Sequence, residues 1–231
     1  MKPKHRSTAF TVINFVDYFL YRTILARDLH DKSVIPLMGQ LTGDTLELGA
    51  GKHNYAQYAQ NTKSYIRSDY APGLTDDRIE IDATNIAFSD NSFDTVVCLS
   101  ALEHIYDFSA VVREITRVLR PGGSLLLCTS WVFPFHGAPD DYYRFSSSAL
   151  RSLLSDFEIM NFEAVGNFWL TQAVFLQRPV WSRHNQNKTT RFYDYFLRLM
   201  GILFLMIGSR TKALEDDNYA LLYTCLACKR T

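Results

Sequence analysis

Two glycines stand where the backbone can approach a ligand closely. Gly49 and Gly51 follow the short apolar run at residues 45–48 and precede a stretch, from about Asn54, that predicts a helix. Glycine has no Cβ, so such a turn brings backbone N–H groups near a bound molecule, and the start of a helix adds unpaired donors. The spacing indicates a ligand-binding loop, although many purely structural turns between a strand and a helix also contain glycine.

Two aspartates follow the next two apolar runs of the chain. Asp69 ends the run at residues 64–68, and Asp82 ends the run at residues 78–81. At the carboxyl edge of a parallel sheet, the first carboxylate can accept hydrogen bonds from both hydroxyls of a ribose, and the second can accept one from the amine of an adenine. A single aspartate at such a place is often only a turn residue. The joint occurrence of the loop and both aspartates favours a site for a nucleoside cofactor.

The elements that must position these groups alternate regularly along the chain. Strand patterns fall at residues 45–48, 64–68, 78–81, 94–99, 124–128, 158–165 and 219–228, and helix patterns fall at residues 108–119 and 146–155. The uninterrupted Val/Cys/Leu run at 94–99 is typical of a parallel strand that is buried on both faces. Strands that alternate with helices predict right-handed βαβ units, and therefore an α/β fold with a doubly wound sheet.

We expect the 231 residues to form a single domain with two additions. Residues 1–40 are expected to be a helical extension, because residues 8–30 carry apolar side chains at helical spacing. Residues 168–218 are expected to be an insertion between the last two strands that caps the acceptor site. Its apolar helix at 192–207 can be a lid, a membrane contact or an interface between subunits. The oligomeric state stays open.

Composition limits the classes of partner. Lys plus Arg and Asp plus Glu both total 24, so the formal net charge is zero. Proteins that bind nucleic acid usually have a basic excess, and we expect no nucleic-acid partner. No charge-free apolar run reaches the length that spans a bilayer. Basic residues flank 192–208, which keeps peripheral membrane association open.

The cysteines do not predict a metal site. Cys225 and Cys228 have zinc-like spacing, but the pair lies in a strand pattern, where positions three apart point to opposite faces. We therefore expect buried packing, no metal, and a location in the reducing cytoplasm.

Several motifs together resemble those of class I S-adenosylmethionine (SAM)-dependent methyltransferases. Glu47-Leu48-Gly49-Ala50-Gly51 is similar to the acidic-x-Gly-x-Gly signature of this family, with Lys52-His53 where a third glycine often stands. The segments 82–97 and 114–123 resemble its D-x-x-x-L-P-F, S-F-D-x-V and R-V-L-K-P-G-G motifs. The motifs cover residues 45–130. The resemblance implies a Rossmann-like sheet of seven mostly parallel strands with an antiparallel last strand.

The resemblance also implies roles for single residues. Gly49 and Gly51 would lie beside the methionine part of SAM, with Glu47 orienting the loop. Asp69 would bind the ribose, and Asp82 with Ala83 would contact the adenine. Leu99 and Ser100 would border the sulfonium, where methyl transfer requires an in-line arrangement of nucleophile, carbon and sulfur.

The acceptor side is expected near two histidines. The segment from Pro134 to Phe145 resembles a His-x-x-Pro-x-Asp-Tyr-x-Arg-Phe loop of a small-molecule and glycan branch of the family, methyltransferase type 11-like. His136 in this loop and His104 after the fourth strand are candidates for a catalytic base. His104 also fits a packing role. Candidate acceptor-binding residues are Asp141, Tyr142 and Arg144. In the alternative interpretation, Arg144 only holds the loop by pairing with Asp140 or Asp141.

These observations predict methyl transfer from SAM to a small-molecule or glycan-like acceptor, through oxygen. One alternative is a nicotinamide-dependent oxidoreductase, although Asn54 occupies the place of the third glycine in the Gly-x-Gly-x-x-Gly motif of that class. Another is a protein that binds SAM, or another partner, without catalysis.

Overall fold

The computed structural model describes residues 25–71, 77–177, 188–211 and 218–231. The strands are β1 (Gly43–Leu48), β2 (Thr62–Asp69), β3 (Ile79–Glu80), β4 (Phe93–Leu99), β5 (Leu119–Ser130), β6 (Phe157–Val165) and β7 (Leu222–Lys229). The α-helices are α1 (Leu25–Met38), α2 (Phe108–Val118), α3 (Ser147–Leu153), α4 (Phe168–Gln177) and α5 (Lys188–Arg210).

The seven strands form one sheet in the order β3-β2-β1-β4-β5-β7-β6. The first five strands of this order are parallel, and β7 runs antiparallel to both β5 and β6. This confirms the expected doubly wound sheet with an antiparallel last strand. Because parallel strands end at the same edge, the loops after β1, β2, β4 and β5 meet there, and this edge is where α/β sheets bind ligands.

The sheet is covered on both faces. On one face, α2 presents Val111, Ile115 and Val118, which are buried against β4 and β5. The helix begins after Asp107, whose carboxylate accepts a hydrogen bond from the N–H of Ala110 at 2.9 Å and so caps the first turn. Replacing the fully buried Ile115 by alanine would cost about 2–5 kcal/mol. The α1 and α4 helices cover the other face.

The α4 and α5 helices pack closely through glycines. A Cβ atom at Gly208 would lie 2.8 Å from Cγ of Leu170, so only glycine fits at this contact. The Asn167 side chain joins the two helices, since it donates to the carbonyl of Gly208 at 3.1 Å and accepts from the N–H of Leu170 at 3.0 Å. The other side of α5 exposes apolar side chains at helical spacing: Phe192, Phe196, Leu199, Leu203 and Met206. None of the described helices is long and apolar enough to cross a membrane.

The prediction of a helix from about Asn54 is wrong. The structure has only a single 3-10 turn at Ala56–Tyr58 before β2 begins. The side chains of Gln57 and Thr62 donate hydrogen bonds to the main-chain carbonyls of Asn54 and Ala59 at 2.8 Å each. Such local bonds offer the backbone an alternative to helical pairing.

Other element boundaries also differ from the sequence patterns. The first described helix continues to Met38, beyond the expected end at residue 30, and the part expected before residue 25 lies outside the described residues. The β5 strand begins at Leu119, five residues before the strand pattern at 124–128, and its register against β4 is irregular in this added part. Helix α4 lies in the insertion and had no counterpart among the sequence patterns.

Candidate active site

A cavity of about 530 Å³ lies at the carboxyl edge of the sheet. This volume is within the usual range for small-molecule sites. The cavity is lined by Ala26, Arg27, His30, Gly49, Ala50, Gly51, Lys52, His53, Tyr55, Leu99, Ser100, His104, Ser130, Phe133, Pro134, His136, Val174 and Leu222. A larger but more open groove of about 640 Å³ lies between α2 and α3 and contains no part of the glycine loop.

The glycine loop has the conformation that its sequence requires. Gly49 and Gly51 have φ angles of 66° and 55°, in the region that favours glycine. A Cβ atom at Gly49 would lie 2.5 Å from the Cβ of Ala101, whereas a Cβ atom at Gly51 would meet nothing within 4 Å. Gly49 thus permits close packing, and Gly51 leaves open space beside the backbone. A ligand can reach the main chain at this point of the cavity wall.

Two further expected residues lie at the end of β4. Leu99 and Ser100 both line the cavity. Ser100 has a φ angle of 51°, which is uncommon for a residue other than glycine, and its N–H donates to the carbonyl of Cys128 at 2.8 Å. Backbone strain of this kind is frequent at functional sites, because the surrounding structure must hold it in place.

The two strand-end aspartates lie beside the loop rather than in the cavity wall. Asp69 accepts hydrogen bonds from the N–H of Gly51 at 3.0 Å and from the guanidinium of Arg78. Asp82 is exposed and closes its own turn, accepting from the N–H and the hydroxyl of Thr84 at 2.8 and 2.7 Å. Neither aspartate lines the cavity, and neither does Ala83.

Glu47 is a buried side chain near the end of β1, next to the glycine loop. Its side chain is 1% exposed, and Oε2 lies 3.7 Å from Nε of Arg67. Burial raises the pKa of Glu47 to about 7, although Arg67 opposes the shift. Arg67 in turn donates to the carbonyl of His53 at 2.9 Å and to Asp77 at 2.6 Å. Glu47 therefore acts on the loop through Arg67 and does not reach the cavity.

Sequence reasoning missed the wall that α1 contributes. Arg27 and His30 lie three positions apart on this helix, so they share one of its faces, and both line the cavity. Arg27 donates to the hydroxyl of Tyr55 at 2.9 Å, and this hydroxyl donates to Asp31 at 2.6 Å. The spacing of Arg27 and His30 was visible in the sequence, but only the fold brings them opposite the glycine loop.

Two imidazoles lie next to each other in the cavity wall. The rings of His104 and His136 are nearly perpendicular, with centroids 4.7 Å apart. Nδ1 of His104 bonds to the carbonyl of Asp140, and Nδ1 of His136 bonds to the carbonyl of Pro134. In a neutral imidazole whose Nδ1 donates to a carbonyl, Nε2 holds the lone pair; Nδ1 of His136 also lies 3.4 Å from Nη2 of Arg144. The structure thus brings the two candidate bases together.

The loop after β5 is held by an ion pair. Arg144 binds both carboxylate oxygens of Asp141 at 2.6 and 2.7 Å and donates to the carbonyl of Phe133 at 3.0 Å. The hydrogen bonds from Arg144 lower the pKa of Asp141 to about 2. Tyr142 donates to Asp140 at 2.8 Å. None of Asp141, Tyr142 and Arg144 lines the cavity, which favours the interpretation that they hold the loop in place.

The insertion contributes less to the cavity than its expected role as a cap implies. Of the described residues between 168 and 218, only Val174 on α4 lines the cavity. Its apolar side chain lies with Phe133 and Leu222 in the cavity wall. The exposed side of α5 takes no part in that wall.

Comparison with known proteins finds similarity to methyltransferases over part of the chain. A model described as a methyltransferase domain matches residues 46–127. The demethylmenaquinone methyltransferase of Mycobacterium marinum is 49% identical over 47 residues, 20% of this chain and 20% of that protein. The one of Clavibacter sepedonicus is 30% identical over 109 residues, 42% of this chain and 44% of that protein. The chain thus spans less than half the length of these curated relatives.

The solved structures agree on the fold. An S-adenosylmethionine-dependent methyltransferase from Mesorhizobium loti superimposes with a TM-score of 0.52 at 13% identity, over 87% of this chain and 98% of that chain. With the match to a methyltransferase-domain model over residues 46–127, the strand order and the glycine loop at the end of β1, the chain is similar to the class I SAM-dependent methyltransferases and has their fold.

Proposed function

We propose that the protein transfers the methyl group of SAM to a hydroxyl oxygen of a small-molecule or glycan-like acceptor. The observation that carries this proposal is one continuous cavity that joins the glycine loop to the paired imidazoles of His104 and His136. SAM supplies an electrophilic methyl carbon on a positively charged sulfur when it is bound. The chain's own residues position the donor and the acceptor in line.

At the donor end, the cavity offers groups that match SAM. The backbone beside Gly51 is open, and Arg27 is a cation that can bind a carboxylate through two parallel hydrogen bonds. Arg27 is therefore proposed to bind the carboxylate of the methionine part. Asp69 is proposed to bind the ribose hydroxyls, and Asp82 and Ala83 the adenine. Leu99 and Ser100 then border the sulfonium.

At the acceptor end, the two imidazoles supply a base. The acceptor hydroxyl gives its proton to Nε2 of His136 or His104, and its oxygen forms a bond to the methyl carbon while the bond from carbon to sulfur breaks. The leaving sulfur becomes a neutral thioether. Binding of SAM in place of a nicotinamide dinucleotide is supported by the short loop, which lacks the third glycine and the helix that pyrophosphate binding requires.

The apolar part of the cavity wall supports the proposed kind of acceptor. Phe133, Val174 and Leu222 provide apolar surface next to the two histidines. An acceptor with an apolar body and a hydroxyl matches this arrangement. The curated relatives act, by their names, on demethylmenaquinone, which supports a small-molecule acceptor for this chain as well.

We also propose that the protein works in the cytoplasm, bound peripherally to an anionic membrane surface. The exposed side of α5 carries Phe192, Phe196, Leu199, Leu203 and Met206, and the basic Arg210 is exposed at the end of the helix. Apolar side chains along one face, with a cation beside them, are typical of helices that lie in the membrane interface. All four cysteines are free, which supports a reducing compartment.

The proposed reaction is tested with purified protein, SAM and a panel of hydroxylated acceptors. We expect mass spectrometry to detect S-adenosylhomocysteine together with an acceptor that is heavier by one CH₂ group. Binding of SAM without turnover on any acceptor would favour the non-catalytic alternative. Binding of NAD but not of SAM would favour the oxidoreductase.

A further inference from the structure

Three side chains that can bind a metal converge where the acceptor is proposed to bind. Glu103, His104 and His136 each offer a ligand atom, and these atoms all lie within 4.8 Å of one another. His104 and His136 line the cavity, and Glu103 lies behind them in a 3-10 turn at residues 102–104. Two imidazoles and one carboxylate therefore meet beside the end of β4, where the reacting methyl group is expected.

Glu103 is a buried carboxylate without a cation. Its side chain has no exposed surface, and it accepts hydrogen bonds from the hydroxyls of Thr129 at 2.8 Å and Ser130 at 2.7 Å. Within the described residues, no lysine or arginine lies close enough to Glu103 for an ion pair. Buried charges in proteins are usually paired or coordinate a metal. Oε1 also accepts from the N–H of Ser130 at 3.3 Å, so its two lone pairs are used, whereas Oε2 accepts one bond and keeps a lone pair for a further partner.

The two imidazoles are oriented as metal ligands usually are. Nδ1 of each ring bonds to a backbone carbonyl, and the tautomer in which Nδ1 donates to this carbonyl places the lone pair on Nε2. Nε2 has no hydrogen-bond partner in either ring among the described parts of the chain. Metal-binding histidines commonly hold their second nitrogen on a carbonyl in this way.

We propose that Glu103, His104 and His136 bind a divalent transition-metal ion, of which Mn²⁺ and Zn²⁺ are representative. Imidazole and carboxylate ligands suit such ions. Bonds of about 2.0–2.2 Å require the ligand atoms to lie roughly 3.0–3.5 Å apart. The three ligand atoms, which lie within 4.8 Å of one another, must therefore approach one another when the ion binds.

The metal deepens the proposed function, on which this inference rests. A divalent ion polarises a hydroxyl that binds to it and lowers its pKa. The acceptor hydroxyl then loses its proton to water, and its oxygen forms the bond to the methyl carbon as the bond from carbon to sulfur breaks. In this arrangement the histidines position and activate the acceptor through the ion.

The test titrates MnCl₂ into protein that has been treated with a chelator, followed by calorimetry and by electron paramagnetic resonance of Mn²⁺. We expect one ion per chain, and binding at least about tenfold weaker in His104→Ala and in His136→Ala. His53→Ala is the matched control, because His53 lines the same cavity outside the cluster and its loss should leave Mn²⁺ affinity unchanged. Glu103→Gln is included if circular dichroism shows that it folds.

The proposal is overturned if the wild type binds neither Mn²⁺ nor Zn²⁺. It is also overturned if both histidine variants bind Mn²⁺ as tightly as the wild type does. SAM is titrated into the same samples. If the wild type binds SAM but binds neither metal ion, the metal site is excluded while the proposed function stands, with the histidines as direct bases. Loss of SAM binding in folded wild-type protein would count against the proposed function itself.

Discussion

The carboxylate of Asp69 accepts a hydrogen bond from the backbone N–H of Gly51 at 3.0 Å. The bond links the end of β2 to the glycine loop at the end of β1, which is its parallel neighbour in the sheet. The two features that first suggested a cofactor site are thus in direct contact. Arg78 binds the same oxygen and balances its charge.

We expect Asp69→Ala to weaken SAM binding at least about tenfold, since hydrogen bonds to a charged group contribute roughly 1.5–3 kcal/mol. The variant loses both the ribose acceptor and the tie to Gly51. Calorimetric titration with SAM measures the change. Asp44→Ala is a control, because Asp44 lies at the start of β1, at the opposite edge of the sheet. Unchanged SAM affinity in Asp69→Ala would remove the ribose assignment.

Arg27→Ala should also weaken SAM binding, by about tenfold, because the carboxylate of SAM loses a cationic partner. Arg27→Lys should restore part of the affinity, since it keeps the charge but not the planar pair of donors. Lys32→Ala is the matched control on the same helix, where Lys32 is exposed and pairs with Asp28. Equal affinity of Arg27→Ala and the wild type would show that the carboxylate binds elsewhere.

His136→Ala should leave SAM affinity intact and lower turnover by about a hundredfold or more, the usual contribution of a positioned acid or base. The reason is that His136 lines the cavity beside His104, where the acceptor is proposed to bind. Turnover is measured as S-adenosylhomocysteine formed at saturating SAM. Full activity in this variant would exclude His136 from the chemistry.

Glu47 should make stability depend on pH. Burial raises its pKa to about 7 in the folded protein, above the usual value of about 4.3 for an unfolded chain. Between these values the unfolded chain has released the proton that the folded chain keeps, so stability falls as pH rises. We expect Glu47→Gln to remove this loss, on the order of 3 kcal/mol from pH 4.5 to 7.

Urea unfolding of both proteins at pH 5 and pH 7.5 measures this effect. From pH 5 to pH 7.5, the free energy of unfolding of the wild type should fall relative to that of Glu47→Gln. A difference that stays constant would mean that Glu47 is ionised throughout, held by Arg67.

The double variant Leu199→Glu/Leu203→Glu should abolish sedimentation with vesicles that contain phosphatidylserine. The two substitutions place charges on the exposed apolar side of α5, where 60% of Leu199 and 45% of Leu203 are open to solvent. SAM binding should not change, because no described residue of α5 lines the cavity. Failure of the wild type to sediment with such vesicles would refute the membrane proposal.

The sequence predicted the sheet well because strands buried on both faces leave a local signature. The strand at 94–99 and the helix pattern at 146–155 agree with β4 and α3 within a residue or two. The helix from Asn54 was wrong, since side-chain bonds from Gln57 and Thr62 compete with helical pairing. The wall formed by Arg27 and Tyr55 was missed because it joins residues from separate segments across the cavity.

The contact between Arg144 and Asp141 shows a second limit of sequence reasoning. The sequence allows both residues to be ligands of the acceptor or structural partners of each other. Residue types alone do not decide between these roles, because a guanidinium and a carboxylate serve either purpose. Only the paired geometry, with both oxygens of Asp141 bound by Arg144, favours the structural role.

The strand order has a consequence for how the chain folds during synthesis. Within the described chain, β6 pairs only with β7, which follows it after α4 and α5. Until the ribosome releases β7, the edges of β5 and β6 stay unpaired and open to wrong partners. Completion of the sheet therefore waits for the last strand, and newly made chains that stop before it are expected to be chaperone clients.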